Sequence, residues 1–228
     1  MLCLVAVAQT FAEEPAEQLA EATRTYDLAA AQSLVSALAV SDAADALELR
    51  IKGTLLVAEL LRMEFSYVPE RETKTRRALG EEIDAAADGG LADVDGLPES
   101  SEKYRIRADL LGTKIRSNYR AGKFKGAMNG AIEKALALDP QNARAHISKA
   151  KTLLFRPSPS ENEIREALVL LESAHTLDAS LEQARLLQAY GHEQLGETDV
   201  AVAIWKQCQE ANPDCLPATR ALQSHQSE

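Results

Sequence analysis

Few residues in this chain have the types and the spacing that catalysis or metal binding requires. The most suggestive pair is His192-Glu193, which matches the start of the zinc-binding pattern H-E-x-x-H. A zinc site of this kind needs a second histidine one helical turn later, and Gly196 stands at that position. No serine elbow of the form G-x-S-x-G and no paired carboxylates stand out. We therefore expect no metal, no cofactor and no catalytic activity.

Three glycines recur at intervals of four residues, at Gly122, Gly126 and Gly130. A phosphate-binding loop would end in G-K-S or G-K-T, and this segment does not. Residues four apart lie on one face of a helix, where glycine allows a neighbouring helix to approach closely. We expect these glycines to serve helix packing rather than phosphate binding.

Cys208 and Cys215 are the two cysteines near the C-terminus. In an oxidising compartment they could form a disulfide that ties the last segment of the chain to the helix before it. Such a bridge requires that the two Cα atoms come within about 7 Å of each other. Two packed thiols are the alternative, and the sequence leaves both open.

The formal charge of -10 and the isoelectric point near 5.0 restrict the partners of this protein. Nucleic acids and anionic membranes both attract basic proteins, so we expect neither as a partner. Against this acidic background, residues 103–125 are rich in lysine and arginine. A protein or peptide with acidic groups would suit such a local basic surface.

Residues 1–12 are apolar and are followed abruptly by an acidic stretch. An apolar run that ends in small residues is typical of an export signal, with Thr10 and Ala12 at the cleavage positions. The basic residues that usually precede the run are missing, so an apolar N-terminus that packs on the first helices is the alternative. We expect a periplasmic or secreted protein, or a cytoplasmic one if this segment is not a signal. No later apolar run is long enough for membrane insertion.

The elements that position these residues are expected to be helices, because alanine and leucine dominate and no segment alternates with period two for long. Their clearest boundary is Asp139-Pro140, since proline cannot continue the hydrogen bonding of a helix. Asn142 can then cap the next helix. Similar corners follow at Ala179 and Pro213, so a helical hairpin repeats about every 34 to 39 residues.

This period, and the residues at fixed positions within it, resemble the tetratricopeptide repeat (TPR) family. The last repeat matches best, at Ala189, Gly196, Ala201, Trp205 and Pro213. The resemblance implies an all-α fold, an α-solenoid of antiparallel helix pairs with a C-terminal capping helix. It covers residues 101–214 as three TPR-like repeats, and residues 215–228 become the capping helix and tail.

The N-terminal half repeats less regularly. Residues 13–88 are expected to form degenerate helical hairpins, in which no repeat register is clear. Residues 89–100 combine glycines, acidic residues and a proline, which is typical of a linker or a long loop. We predict that this segment separates the N-terminal hairpins from the three regular repeats.

In TPR proteins the first helix of each pair lines a concave groove that binds partners. Carried over by the register of the repeats, these positions predict a groove that mixes basic and aromatic side chains. The predicted partner-binding residues are Asp109, Arg116, Tyr119, Arg120, Arg144, Ile147, Lys151, Phe155, Leu186 and Tyr190. Arginine recognises carboxylates, and tyrosine offers contact area at little entropic cost, so an acidic peptide or an anionic small ligand would suit the groove.

Three functional interpretations remain. The favoured one is a non-catalytic scaffold that binds a partner protein or an extended peptide, in the cell envelope. The second is a periplasmic accessory protein of a solute transporter, which would hold a small organic ligand in a closed apolar channel. The third is assembly through the N-terminal half, which would leave an apolar patch exposed along residues 47–61. The sequence identifies neither the partner nor the oligomeric state.

Overall fold

The computed structural model describes residues 14–43 and 45–225. The predicted export signal and the last three residues of the tail lie outside these ranges. The described residues form helices and turns and contain no strand, which confirms the all-α prediction. The helices are α1 (Pro15–Thr25), α2 (Leu28–Leu38), α3 (Ala46–Tyr67), α4 (Thr73–Val94), α5 (Ser101–Thr113), α6 (Asn118–Leu138), α7 (Ala143–Leu154), α8 (Glu161–Leu177), α9 (Glu182–Gln194), α10 (Thr198–Ala211) and α11 (Leu216–His225).

Consecutive helices pair as hairpins that stack on one another. The pairs are α1 with α2, α3 with α4, α5 with α6, α7 with α8, and α9 with α10, and α11 packs on α10 as a cap. The first helices of the hairpins also contact each other in series, from α1 through α3, α5 and α7 to α9. This arrangement confirms the predicted α-solenoid, since each hairpin buries its apolar face against its neighbours.

The corner predicted at Asp139-Pro140 is present. Helix α6 ends at Leu138, and the Asn142 side chain accepts a hydrogen bond from the Ala145 N–H at 3.0 Å. A cap of this kind satisfies a backbone donor that a helix N-terminus leaves free and stabilises the helix by about 1 kcal/mol.

The predicted linker at residues 89–100 is largely wrong, because α4 continues through the glycines to Val94. Gly90 lies inside the helix where space is tight. A Cβ at this position would lie 3.0 Å from both Leu110 Cδ atoms and 3.2 Å from Thr54 Cγ2. The glycine therefore allows α4 to pack closely on α3 and α5, and the N-terminal hairpins stack directly on the C-terminal ones.

The close-packing role predicted for Gly122, Gly126 and Gly130 is also wrong. All three lie on α6, and a Cβ added at any of them would meet no atom within 4 Å. They form an exposed face of α6.

Helix α3 does not carry the apolar patch that an assembly role would require. Ile51, Leu55 and Leu61 are buried between hairpins, and Leu47 is only partly exposed. The apolar residues of α3 are therefore used inside the solenoid.

The two ends of the solenoid meet. Arg24 Nη1, at the end of α1, lies 2.7 Å from Asp214 Oδ2 in the turn before α11. Asn212 Nδ2 donates to the Arg24 carbonyl at 3.0 Å, and the Tyr26 hydroxyl donates to Glu182 at the start of α9. The solenoid therefore closes on itself, with the first hairpin against the last repeat and the cap.

Candidate functional site

Ion pairs cross the concave surface formed by the first helices of the hairpins. We call this group of side chains the floor network, and its members are Glu59, Glu102, Arg105, Asp109 and Lys151. Arg105 Nη1 donates to Asp109 Oδ2 at 2.9 Å and Arg105 also binds Glu102. Lys151 Nζ lies 2.9 Å from Glu59 Oε1 and 3.9 Å from Asp109 Oδ1. The network joins α3, α5 and α7.

Asp109 is the centre of the floor network. Its side chain is 8% exposed, and the Ser148 hydroxyl donates to it at 2.8 Å. Burial by itself raises the pKa of Asp109, but Lys151, Arg105 and Ser148 outweigh burial and hold this pKa below its ordinary value. Burial lowers the pKa of Lys151, yet Glu59 and Asp109 raise it above its ordinary value. The charges of the floor are therefore satisfied within the chain.

Arg116, Tyr119 and Arg120 do not lie on the first helix of their hairpin, as the sequence register had predicted. Helix α5 ends at Thr113, and Ser117 begins α6 as its N-cap, accepting from the Arg120 N–H at 3.3 Å. Arg116 therefore lies in the turn between α5 and α6, and the other two residues lie in the first turn of α6.

The error in register comes from the length of α6. This helix has 21 residues, against 14 in α10, and the difference corresponds to about two helical turns. The register counted back from Pro140 was therefore two turns too late in α5. Arg105, which the sequence reasoning did not select, lies on the concave face beside Asp109.

Asp84 of α4 binds the basic residues of the α5–α6 turn. Its Oδ2 lies 2.8 Å from Arg116 Nη2, and its Oδ1 contacts Arg120. Burial raises the pKa of Asp84, but Arg116, Arg120 and Lys114 together hold this pKa below its ordinary value. These pairs fix the turn against α4 and occupy donors that had been predicted to face a partner.

The C-terminal ends of α3, α5, α7 and α9 lie along one edge of the solenoid, and we call this edge the rim. Arg116 Cζ, just after α5, is 5.9 Å from the centre of the Phe65 ring near the end of α3. Gln194 Nε2, at the end of α9, donates to the Leu154 carbonyl at the end of α7 at 3.2 Å. Neighbouring first helices therefore end side by side.

The rim carries exposed aromatic side chains. Tyr119 is 84% exposed, and Phe155 is 58% exposed. The Phe155 ring packs on Tyr190, with ring centres 5.3 Å apart and a tilt of 31°. These are three of the predicted partner-binding residues, and two of them form one aromatic surface across two hairpins.

Three arginines converge on Phe65 at the α3 end of the rim, and we call them the arginine cluster. The Cζ atoms of Arg76, Arg62 and Arg116 lie 4.1, 5.5 and 5.9 Å from the ring centre. Arg76 Nη1 donates to the Val68 carbonyl at 2.6 Å, and Arg116 binds Asp84. Arg62 is partly buried and makes no hydrogen bond or ion pair with any residue that the structure describes.

The remaining predicted partner-binding residues have different environments. Arg144 is exposed at the start of α7. Ile147 is 2% exposed and belongs to the core between α7, α8 and α9, so it is not available to a partner. Leu186 is partly buried against the core of the last repeat.

The two C-terminal cysteines are free, buried thiols rather than a disulfide. Both belong to the core between α9, α10 and α11. Burial raises the pKa of Cys208 and of Cys215 to about 11, so both are protonated at neutral pH. Of the two alternatives that the sequence left open, the structure has the packed thiols.

His192 and His225 make local polar contacts with glutamates. His192 Nδ1 lies 2.6 Å from Glu197 Oε2, and His225 Nε2 lies 3.0 Å from Glu193 Oε1. Over residues 14–43 and 45–225, no three His, Cys, Asp or Glu side chains come together as metal ligands would. Within the same ranges, no helix has the length and apolar character that a membrane span requires.

Sequence reasoning missed Arg62, Phe65 and Arg76, because they lie in the half of the chain where no repeat register was clear. A signal was present, since Arg62 and Phe65 are three residues apart and share a helix face. Arg76 follows the break at Pro69, which folds α4 back along α3.

The fold thus defines the protein as a helical-repeat solenoid with a basic and aromatic rim, and a solved structure has the same fold. The crystal structure of TTC0263, a thermophilic TPR protein in Thermus thermophilus, matches 92% of this chain and 98% of that chain, with a TM-score of 0.54 and 15% identity. The crystal structure of YrrB, a TPR protein with an unusual peptide-binding site, also matches 92% of this chain and 98% of that chain, with a TM-score of 0.43 and 13% identity. No family model and no curated protein sequence matches the chain. The protein has the TPR fold, which confirms the predicted resemblance.

Proposed function

We propose that this protein is a non-catalytic scaffold that binds an extended segment of a partner protein along the rim. The observation that carries the proposal is the exposure of Tyr119 and Phe155, with Tyr190 packed beside Phe155. Aromatic side chains on rigid helices supply a large contact area with few rotatable bonds, and they dominate the binding energy of many protein interfaces.

The rim is a better docking surface than the floor. Each charge of the floor network already has a partner inside the chain, and Asp109 and Arg105 are 8% and 6% exposed. A ligand that displaced these pairs would have to replace buried charge-assisted hydrogen bonds. The contacts of α1 with α9 and the cap also hold the solenoid closed.

An extended segment suits the spacing of the hairpins. Packed helices lie about 8 to 10 Å apart, and an extended segment in the polyproline II conformation advances about 3.1 Å per residue with about three residues per turn, so every third side chain faces the same side. Side chains about three residues apart would therefore reach successive hairpins. We expect apolar side chains at this interval to pack on the aromatic rings of the rim.

The small-ligand alternative predicted from the sequence needs a closed apolar channel. The concave surface is lined instead by the floor network, which is charged. A charged lining favours the partner-segment proposal. Mass spectrometry of the intact protein under native conditions tests the alternative, because a bound metabolite of constant mass would support it.

For location, the proposal is export to the cell envelope, and the apolar character of residues 1–12 supports it. Cell fractionation followed by N-terminal sequencing tests this point. The expected mature chain begins after Ala12 and is recovered outside the cytoplasm. A cytoplasmic chain that retains Met1 would contradict it.

Site-specific photo-crosslinking tests the docking surface. A benzophenone side chain replaces Phe155 in one variant and Val169 in a matched control, because Val169 is 66% exposed but lies on α8, away from the rim. We expect the first variant to crosslink in cells to one defined segment of one protein, identified by peptide mass spectrometry.

Substitution of the other aromatic residues completes this test. In the crosslinking variant, Tyr119→Ser and Tyr190→Ser should each reduce the yield of that crosslink, and the Val169 variant should not form it. A single well-packed aromatic anchor is commonly worth about 2 kcal/mol, or roughly 30-fold in affinity. Equal crosslinking from both positions, or none from Phe155, would overturn the proposal.

A further inference from the structure

The arginine cluster contains a guanidinium that the fold does not satisfy. Arg62 belongs to the concave side of α3, one helical turn after Glu59 of the floor network. Its neighbours Arg76 and Arg116 both have hydrogen-bonded partners, whereas Arg62 has none among the described residues. Burial, and then the charges of Arg116 and Arg76, lower the pKa of Arg62 below its ordinary value.

Simple structural roles explain only part of this arrangement. A cation near the C-terminus of α3 is favoured by the helix dipole, and a guanidinium gains energy over an aromatic ring. Either effect accounts for one arginine on Phe65. Arg76 is also held by the Val68 carbonyl and Arg116 by Asp84, so the feature that remains unexplained is Arg62, which lies beside two guanidinium groups whose like charges repel it.

We infer that Arg62, with Arg76 and Arg116 beside it, binds a carboxylate of the partner segment at the rim. The planar guanidinium offers a fork of donors that matches the two oxygens of a carboxylate. The Phe65 ring holds the cluster in place, so little side-chain freedom would be lost on binding. The inference rests on the proposed docking function and names the chemistry that one end of the segment would carry.

The local charge balance favours a carboxylate over a phosphate. Asp84 neutralises Arg116, and its carboxylate would repel a doubly charged anion nearby. Arg76 Nη1 is already directed at the carbonyls of Val68 and Phe65. Of the three guanidinium groups, that of Arg62 keeps its whole fork of donors, which matches one singly charged carboxylate.

The first arm of the test uses synthetic peptides. The probes are fluorescent eight-residue peptides with leucine every third residue, in which each other position is glutamate in one peptide and glutamine in its pair. Fluorescence anisotropy measures their affinity for the wild type and for Arg62→Gln, Arg62→Lys and Arg77→Gln. Arg77 is the matched control, because it lies on α4 and its side chain is 83% exposed.

The second arm uses a free carboxylate. Two-dimensional nuclear magnetic resonance follows the Arg62 Nε–H signal, assigned by its loss in Arg62→Lys, during titration with glutarate, glutaramide or inorganic phosphate. This arm does not need a peptide to bind. Circular dichroism confirms that each variant is folded, and Arg62→Gln is expected to be folded because it removes an unpaired charge.

The expected result is a preference for glutamate peptides of about tenfold or more in the wild type, since a hydrogen bond to a charged group is worth that much in affinity. Arg62→Gln should abolish the preference, Arg62→Lys should weaken it, and Arg77→Gln should retain it. Peptide binding without a glutamate preference, or with one that survives Arg62→Gln, would overturn the carboxylate site and leave the scaffold proposal standing.

The two arms together separate the two proposals. If no peptide binds but glutarate shifts the Arg62 signal and glutaramide does not, the carboxylate site stands and docking along the rim fails. If phosphate shifts the signal and glutarate does not, the assignment to a carboxylate is wrong. If no peptide binds and no anion shifts the signal, both proposals are wrong.

Discussion

The floor network and the arginine cluster are built from similar charged side chains, one turn apart on α3, yet they differ in how the charges are satisfied. Arg105 and Lys151 each contact two carboxylates. Arg62 faces two other guanidinium groups and has no carboxylate partner in the described chain. The comparison teaches that basic residues on a concave surface indicate a binding site only where the fold leaves them unpaired.

The strongest test of this comparison is Asp109→Ala. Removal of this carboxylate leaves Arg105 without its most buried partner and deprives Lys151 of a second one, in a site that water reaches poorly. We expect the free energy of unfolding to fall by about 3 to 5 kcal/mol, as is usual when one partner of a buried pair is removed. Urea denaturation measures it.

Glu81→Ala is the control for Asp109→Ala. Glu81 pairs with Arg77 on the surface, with side chains 69% and 83% exposed. Exposed pairs of this kind contribute about 0 to 1 kcal/mol. Equal losses in the two variants would mean that the floor network does not stabilise the fold as a buried network should.

Acid should weaken both the floor network and the pairing of Asp84 with Arg116. Asp109, Glu102 and Asp84 have pKa values below their ordinary values in the folded protein, so the unfolded chain binds more protons. Their stabilisation is fully present above the ordinary carboxyl pKa of about 4 and is lost as the pH falls through the lower folded values. Urea denaturation at a series of pH values should show this decline, and Asp109→Asn should make it shallower. A wild-type stability that stays constant down to about pH 2 would contradict it.

Ser148→Ala should have a smaller effect in the same site. The Ser148 hydroxyl donates to Asp109 at 2.8 Å, and its loss removes one hydrogen bond to a buried charge. We expect a decrease of about 1 to 3 kcal/mol in the free energy of unfolding. Thr152→Ala serves as a control, since that hydroxyl bonds only a backbone carbonyl at an exposed position. A loss no larger than in the control would show that Ser148 does not support Asp109.

Arg62→Leu should have the smallest effect on stability. Its effect, compared with that of Asp109→Ala, tests most directly whether the arginine cluster differs from the floor network. The substitution removes an unpaired charge and its repulsion with Arg76 and Arg116, and leucine can still cover Phe65. We expect the free energy of unfolding to remain within about 0.5 kcal/mol of the wild type or to rise. A loss comparable to that of Asp109→Ala would mean that Arg62 has a structural partner in the folded protein.

The sequence predicted the fold well where a local signal marks a boundary. Asp139-Pro140 with Asn142 fixes a corner by the chemistry of a few neighbouring atoms, and the structure has it. The prediction failed where the boundary depends on a distant contact. Gly90 lies within α4 and packs closely under Leu110 of α5, and no residue near position 90 in the sequence indicates this contact.

The candidate site was predicted only in part. Tyr119, Phe155 and Tyr190 were selected, and of these the structure packs Phe155 against Tyr190 and leaves Tyr119 exposed in the first turn of α6. Their role in binding stays a prediction. The pairing of Lys151 with Glu59 spans 92 positions in sequence, so no local pattern could have indicated that this lysine is already neutralised.

The sequence by itself determined that the chain is helical, where several hairpins turn, and that they repeat as in TPR proteins, because helix caps and breakers act through neighbouring backbone atoms. Only the tertiary structure decided the register of α5, the closure of the solenoid and the pairing of each charge. Those depend on which side chains from separate hairpins come within a few ångströms of each other. Arg62 and Arg105 are the same residue type on adjacent helices, and only the carboxylates that the fold brings near distinguish them.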